Sequence, residues 1–389
     1  MSTFNVGGVP PMTFGVGVIA EIPDVVKNMG GGPVLIVADA MLAQLGVTQR
    51  VTQHLDARGI DHVLAAEIAG EPKDILVDDL SNRARKAGAK SVIAIGGGAA
   101  MDAGKLTAAI APSGKPARTF ALANEPLPAT GLPAIAVPTT AGTGSEVTRT
   151  AIVSSPDGQK NWYWGEELMF AHAVLDPELT LSLPPHLTAW TGIDAVAHAL
   201  EASTARTTNP AGLLFGTQAL QTLADALPRA VADGSDIEAR SQVLWGSTVA
   251  GLALHNCNTH MGHNISHALG SLAPIHHGLA TGLALEISLP VLVDRPEGAD
   301  NYARAARALG ASSSAKDLPL AFTDLMRACG ISRELPSTCD HVTAVALAAE
   351  MKNVANHGMS QNAASPITND DLDALANAMM QLPQAASVA

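Results

Sequence analysis

The first 185 residues return four times to one pattern, a short run of β-branched and aliphatic residues followed by a helix-length polar and apolar stretch. The runs are GPVLIVAD (32–39), DHVLAAEI (61–68), SVIAIGGG (91–98) and AIAVPTT (134–140). Between them lie segments such as LAQLGVTQRVTQHLDARG and ILVDDLSNRARKAG, which carry helical periodicity. Strands that are apolar along their whole length and alternate with helices predict a parallel sheet covered on both faces. The pattern stops near LSLPPHLTAW (181–190), after which Ala- and Leu-rich helical periods dominate and no further β-run stands out. At 389 residues the chain is too long for one ordinary core. We therefore expect an α/β domain over 1–185 and an all-helical domain over 186–389, with the ligand site in the cleft between them.

Two of the strands run into glycine-rich turns. IAIGGGAAMDAGKLTAA passes from strand through Gly96, Gly97 and Gly98 into a helix, whose N-terminus offers unpaired N–H groups and a positive dipole end to a pyrophosphate. VPTTAGTGSEVT (137–148) gathers Thr139, Thr140, Gly142, Thr143, Gly144 and Ser145 after another strand. Two such loops belong at the carboxyl edge of one sheet, where open α/β folds bind phosphate-bearing cofactors. Asp39 ends the run VLIVAD and admits two readings of equal weight. It accepts hydrogen bonds from ribose hydroxyls and repels a 2′-phosphate, or it caps the helix that ADAMLAQL begins.

Charge and cysteine content remove several function classes. Lys and Arg number 23 against 36 Asp and Glu, a net charge of −13 with no basic cluster, so nucleic-acid and anionic-membrane partners are not expected. Three scattered cysteines, Cys257, Cys329 and Cys339, form neither a disulfide framework nor a thiolate metal motif. No stretch has the length and apolarity of a membrane span, and the first residues do not read as a signal peptide. A cytoplasmic location is the expectation.

Histidine is where the second half concentrates its chemistry. His260, His263, His267, His276 and His277 are five of the 13 in the chain and fall within 19 positions. Upstream, TGIDAVAHALEAS places Asp194, His198 and Glu201 on one stripe of a helix. Asn256, His260, His263 and His267 share a similar arc if GLALHNCNTHMGHNISHALG is one helix ending at Gly270, and Pro274 then turns the chain so that His276 or His277 can fold back. One carboxylate and three imidazoles suit Fe²⁺ or Zn²⁺ rather than Ca²⁺ or Mg²⁺. Spacing does not choose among the five histidines. A divalent cation beside a dinucleotide site points to hydride transfer between an alcohol carbon and nicotinamide.

The stretches GGGAAMDAGK, PTTAGTGSEVT, DPELTLSLPPHLTAWTGIDAVAHALEA and GHNISHALGSLAPIHHG, in this order and spacing, resemble the iron-containing (group III) alcohol dehydrogenases. The resemblance implies a nucleotide-binding α/β domain joined to a helical one, an architecture shared with dehydroquinate synthase. It assigns the metal, Fe²⁺ with Zn²⁺ as the other choice, to Asp194, His198, His263 and His277. It leaves His267 beside the nicotinamide as a proton carrier, reads His260 as structural, and sets His276 behind the ligands or at the surface. Gly97, Gly98 and Asp102 fall at the pyrophosphate, and Thr139, Thr140, Thr143, Ser145 and Lys160 line the cofactor cleft. Asp39 falls where such enzymes select NAD over NADP. A small alcohol or aldehyde as substrate and a homodimer or larger homo-oligomer are likewise implied.

This chain departs from the family pattern in three places. Ala99 replaces the serine of GGGS and removes a hydroxyl near the phosphates. NWYWGEE (161–167) is richer in aromatics than the usual strand, and Trp162 and Trp164, on one face, are expected to pack the sheet. ANHGMSQNAASPIT, which holds His357, lacks the NPR triplet. Two other enzymes share parts of the pattern. A dehydroquinate synthase-like lyase calls for more basic side chains near the metal, and metal-independent maleylacetate reductases lack the carboxylate found here at Asp194.

Overall fold

A computed structural model describes residues 3–385. Its internal contacts divide the chain into two units, one made of Gly8–Thr140 with Gly144–Ser182, the other of the stretch up to Gly7, Ala141–Thr143 and everything from Leu183 onward.

The first unit contains the strands β1 (Met12–Phe14), β2 (Val34–Asp39), β3 (His62–Ile68), β4 (Ser91–Gly96), β5 (Ala134–Pro138), β6 (Thr150–Ser154), β7 (Lys160–Trp164) and β8 (His172–Leu175). Six of them form a parallel sheet in the order β1-β8-β5-β4-β2-β3. The helices are α1 (Ile22–Asn28), α2 (Ala40–Gln44), α3 (Val47–Ala57), α4 (Asp74–Ala87) and α5 (Gly98–Ile110). Every residue of β4 and β5 is buried, and so is β2 up to Ala38, which is why these strands carry no polar alternation. Edge strand β3 is more open, with adjacent Val63 and Leu64 exposed and only Ala65 and Ile68 buried. The chain leaves β2 for β3 on one side and returns to β4 on the other, so the strand order reverses between β2 and β4. Ligands of open α/β sheets bind outside the carboxyl ends at such a point. Asp39 ends β2 there, and Gly96 ends β4.

The strand-length runs at 32–39, 61–68, 91–98 and 134–140 correspond to β2, β3, β4 and β5. Strands β1 and β8, of three and four residues, carry too little periodicity to stand out. β6 and β7 pair as a separate antiparallel hairpin, with Ile152 opposite Trp162 and Thr150 opposite Trp164. Here the expectation for the tryptophans fails. Trp162 is 36% and Trp164 52% exposed, while Tyr163 between them is fully buried. A two-stranded ribbon has an inner and an outer face, and the smaller phenol takes the inner one. Trp164 instead lies under the Arg149 guanidinium, 4.4 Å from its ring centre.

One buried cation holds the loops of this unit together. Lys105, on α5, is 1% exposed and donates to the backbone oxygens of Ser145 (2.7 Å), Thr148 (3.1 Å) and Thr150 (3.0 Å). Its neighbour Asp102 accepts from Ser145 Oγ at 2.7 Å and from Ile152 N at 2.9 Å. Burial lowers the Lys105 ammonium to about 8 against the pull of Asp102 and Glu146, so the charged form prevails at neutral pH. Burial likewise raises Asp102, opposed by Lys105, Ile152 N–H and the Ser145 hydroxyl.

The second unit is helical apart from isolated bridges. Its main helices are α6 (Pro185–Thr204), α7 (Pro210–Ala232), α8 (Ile237–Cys257), α9 (Met261–Leu272) and α10 (His277–Val293), followed by Ala299–Ala308, Leu318–Ala328, Ala344–Met351, Val354–Ser360 and Asn369–Met380. Buried Arg240 fastens the start of α6, donating to Thr188 Oγ1 at 2.7 Å and Leu183 O at 3.0 Å. The single helix expected through 251–270 is two. Asn258 adopts φ 58° after α8 ends, and His260 caps α9 by accepting from Met261 N at 2.8 Å. The run NCNTH favours local side-chain hydrogen bonds over helix. As a result Asn256 is on a different helix from His263. Gly270 does not end α9, which continues to Leu272.

Replacing Lys105 by Met leaves three backbone oxygens without their donor and is expected to cost about 3 kcal/mol. Thermal or denaturant unfolding followed by circular dichroism measures this. A midpoint equal to that of the wild type would show that the ammonium does not hold the loops.

Candidate metal centre and nucleotide loops

Helices α6, α9 and the first turn of α10 bring the centre together within the helical unit. Asp194, His198 and Glu201 lie along α6, His263 and His267 on α9, and His277 at the first position of α10. Gly278 permits the approach of α10 to α6, because a Cβ there would stand 1.9 Å from Trp190 O and 3.2 Å from Asp194 Cβ.

Three donor atoms converge. Asp194 Oδ1 is 3.7 Å from His263 Nε2 and 3.5 Å from His277 Nε2, and the three residues form a group able to hold a metal ion. Asp194 and His263 are each 3% exposed, and among the described residues neither Asp194 Oδ1 nor His263 Nε2 has a hydrogen-bond partner. Buried polar atoms are left so only at a cost of roughly 1–3 kcal/mol each. Metal–ligand distances of about 2.0–2.2 Å in a tetrahedral set give roughly 3.3–3.6 Å between donors, close to the spacings found. The residues present therefore fit a divalent ion.

His198 stands beside this group rather than within it. Its ring stacks on His263 with centroids 4.6 Å apart, and its Nδ1 is 3.3 Å from Gly142 O and 4.0 Å from Asp194 Oδ2. A carbonyl only accepts, so Nδ1 carries the proton and Nε2 the lone pair. His263 is set in the same way, since its Nδ1 meets Glu201 Oε2 at 2.5 Å. Burial, with His198 and His260 nearby, holds the His263 imidazole well below the usual histidine range, in the neutral form a ligand needs.

The other histidines sort by their partners. His267 lies 6.0 Å from His263 and 5.2 Å from His277 between ring centres. His260 is fully buried, caps α9, and has its Nε2 2.9 Å from Thr204 Oγ1; it is structural. His276 packs on the Trp190 ring at 5.1 Å, and burial lowers its pKa. His357 sits exposed on Val354–Ser360. In the region without the NPR triplet, Asn362 donates to Cys257 O and Thr259 O, both at 3.0 Å.

In the α/β unit, Gly97 occupies the position before α5 and no side chain caps that helix. A Cβ on Gly97 would stand 3.2 Å from Thr140 Oγ1, so the glycine keeps open the space in front of the Gly98 turn. Thr139 is buried and donates its N–H to Gly96 O at 2.9 Å, which ties the two loops together. Ser145 and Asp102 bond each other. Thr143 belongs with the helical unit, and Lys160, at the start of β7, pairs with Glu71 at 3.3 Å. Asp39 caps α2, its Oδ1 accepting from Met41 N at 2.8 Å. These open N–H groups and small polar loops suit a dinucleotide.

Sequence reasoning set Glu201 on the Asp194 stripe but gave it no role. It is fully buried and is the partner that orients His263. The signal was the i, i+3 spacing from His198.

No helix of the described residues is long and apolar enough to cross a membrane. The sequence model described as "Iron-containing alcohol dehydrogenase" matches residues 10–177, and that described as "Fe-containing alcohol dehydrogenase family, C-terminal" matches 188–380. A probable alcohol dehydrogenase of Escherichia coli is 34% identical over 86% of this chain and 84% of its own length. The NAD-dependent methanol dehydrogenase of Bacillus methanolicus is 31% identical over 70% of this chain and 72% of its own length. Among solved structures, the sulfoacetaldehyde reductase of Bifidobacterium kashiwanohense in complex with NAD+ superposes with a TM-score of 0.90 at 28% identity, over 98% of this chain and all of that one. The two family matches lie on the α/β and helical halves in turn, and the chain belongs to the iron-containing alcohol dehydrogenase family.

Proposed function

We propose that the protein interconverts a small alcohol and its aldehyde or ketone with NAD(H), at a divalent ion held by Asp194, His263 and His277, with His198, which stands beside that group with the lone pair on Nε2, as the fourth ligand. Family membership carries the reaction class. The buried, unpartnered Asp194 Oδ1 and His263 Nε2, which face each other with His277 Nε2 alongside, carry the site.

One carboxylate and three neutral imidazoles leave a divalent cation net positive, so when bound it supplies acidification of a hydroxyl and polarisation of a carbonyl. Bound NAD supplies the hydride acceptor, and NADH the donor. The chain's own residues supply the remainder. Glycines 97 and 98 and the first turn of α5 offer N–H groups to a pyrophosphate, with Thr139, Thr140, Thr143, Ser145 and Lys160 as further cofactor contacts. Asp102 positions the Ser145 loop. Asp39 Oδ2, not used in the cap, accepts from a ribose hydroxyl and disfavours a 2′-phosphate. His267, beside His263 and His277, relays the alcohol proton toward solvent. Fe²⁺ is the favoured ion, since a substrate oxygen added to four protein ligands needs a fifth position, and Zn²⁺ is the competing choice. The α/β domain of residues 1–185 is thus assigned the cofactor and that of 186–389 the metal. A cytoplasmic homo-oligomer is the expected form.

Asp194→Ala and His263→Ala are each expected to lose bound metal, read by elemental analysis, and to lower kcat/KM about 10³-fold, near 4 kcal/mol. Full turnover of either variant in chelator-treated buffer would refute the site. An alcohol and aldehyde panel followed by nicotinamide absorbance, with Fe²⁺ and Zn²⁺ supplied separately, identifies substrate and metal.

Asp39→Asn keeps a capping side chain and removes the charge. The kcat/KM ratio for NADP over NAD should rise about 10-fold, as expected for removal of roughly 1.4 kcal/mol of repulsion. An unchanged ratio would leave Asp39 as a helix cap alone.

A further inference from the structure

Glu201 lies one turn beyond His198 and two beyond Asp194 on α6, and it is fully buried. Its Oε2 meets His263 Nδ1 at 2.5 Å, and its Oε1 accepts from Gly262 N at 2.6 Å. Among the described residues, the imidazoles of His260 and His263 lie within ion-pair distance of it, and no Lys or Arg pairs with it. The His260 Nδ1 near Oε1 already accepts from Met261 N, so it has no proton to offer the carboxylate. Glu201 is thus a buried anion bound to the first turn of α9 and to one imidazole. An anion at a helix N-terminus is favourable, but a carboxylate so buried still requires balancing charge.

We propose that Glu201 is a positioning residue for the metal centre. By accepting the Nδ1 proton of His263, its carboxylate fixes the tautomer with a bare Nε2, holds that ring toward Asp194 Oδ1, and passes negative charge through the imidazole to the divalent ion. The proposal rests on His263 being a metal ligand, as inferred above. A carboxylate behind a ligating histidine fixes ring orientation and raises ligand basicity, and its loss typically costs 10–100-fold in metal affinity. A neutral glutamine of the same length can still accept from Gly262 N, but its remaining amide group is a donor and favours the opposite His263 tautomer.

Two measurements on the full-length protein test this. In metal-free wild-type protein labelled with ¹⁵N-histidine, long-range ¹⁵N–¹H spectra assigned with His263→Gln should show Nδ1 protonated and Nε2 bare. In Glu201→Gln, Zn²⁺ affinity from competition with a chromophoric chelator should fall about 10–100-fold, while the metal-free variant melts no lower than the metal-free wild type, since an uncompensated buried charge is gone. A purely structural Glu201 would lower that melting point and leave the tautomer unset. Wild-type Zn²⁺ affinity in Glu201→Gln, or a bare Nδ1 in the wild type, overturns the proposal. If Glu201→Gln fails to fold, the wild-type tautomer decides alone. That measurement needs no bound metal, so a failed metal assignment, seen as Asp194→Ala retaining its ion, is distinguishable from a failed role for Glu201.

Discussion

A carboxylate oxygen and an imidazole nitrogen, both buried and both lacking a donor, set the terms for the helical unit. Left alone, such atoms are a liability of several kcal/mol in a domain whose whole stability is about 5–15 kcal/mol. The surrounding structure holds the outward nitrogens of two imidazoles of the cluster. Glu201 engages the far nitrogen of His263, and Gly142 O faces that of His198. The convergence is specified twice over: lone pairs are aimed inward, and protons are held outward.

Helices suit this task because ligand spacing on a helix is fixed by its pitch. Asp194 and His198 are four residues apart on α6, and Glu201 follows three later, so one rigid element carries both the carboxylate that faces His263 Nε2 and the one that meets His263 Nδ1. His277 enters differently. It begins α10, and its approach to α6 depends on Gly278, where any side chain would collide with Trp190 O. The nucleotide elements obey the opposite logic. Gly97, Thr139 and Ser145 lie where strands give way to turns and short helices, and Thr139 N–H is spent on Gly96 O, tying two of the loops together. Lys105 then supplies from within the fold the order that loops lack on their own.

What was legible in the sequence follows from which signals are local. The apolar runs that became β2, β3, β4 and β5 are long enough for their periodicity to show, whereas β1 and β8 exist only because neighbouring strands pair with them. The Asp194 stripe could be read on α6 from the helical step alone. The break at Asn258 could not, since an apolar period on both sides masked a positive φ. For the same reason the five histidines could not be ranked by spacing. What separates His260 from His263 is a pair of long-range partners, Thr204 and Glu201, some 60 residues away in the chain. The tryptophans of β7 were misjudged because strand alternation says which residues share a face, but not which face is covered.

Asp39 shows how a structural reading and a functional one can both hold. The capping bond to Met41 N uses Oδ1. A carboxylate has about four lone-pair positions, so Oδ2 stays available at the carboxyl end of β2, beside the strand-order reversal and one strand away from Gly97. The cap fixes the direction in which the carboxylate points, because a side chain bonded to its own helix's first turn cannot rotate away. A free aspartate at the same position would lose side-chain entropy on meeting a ribose hydroxyl, whereas a capping aspartate has lost it already on folding. The helix cap, read from sequence as the competitor of cofactor recognition, is therefore compatible with the cofactor role proposed for Asp39 and would preorganise it.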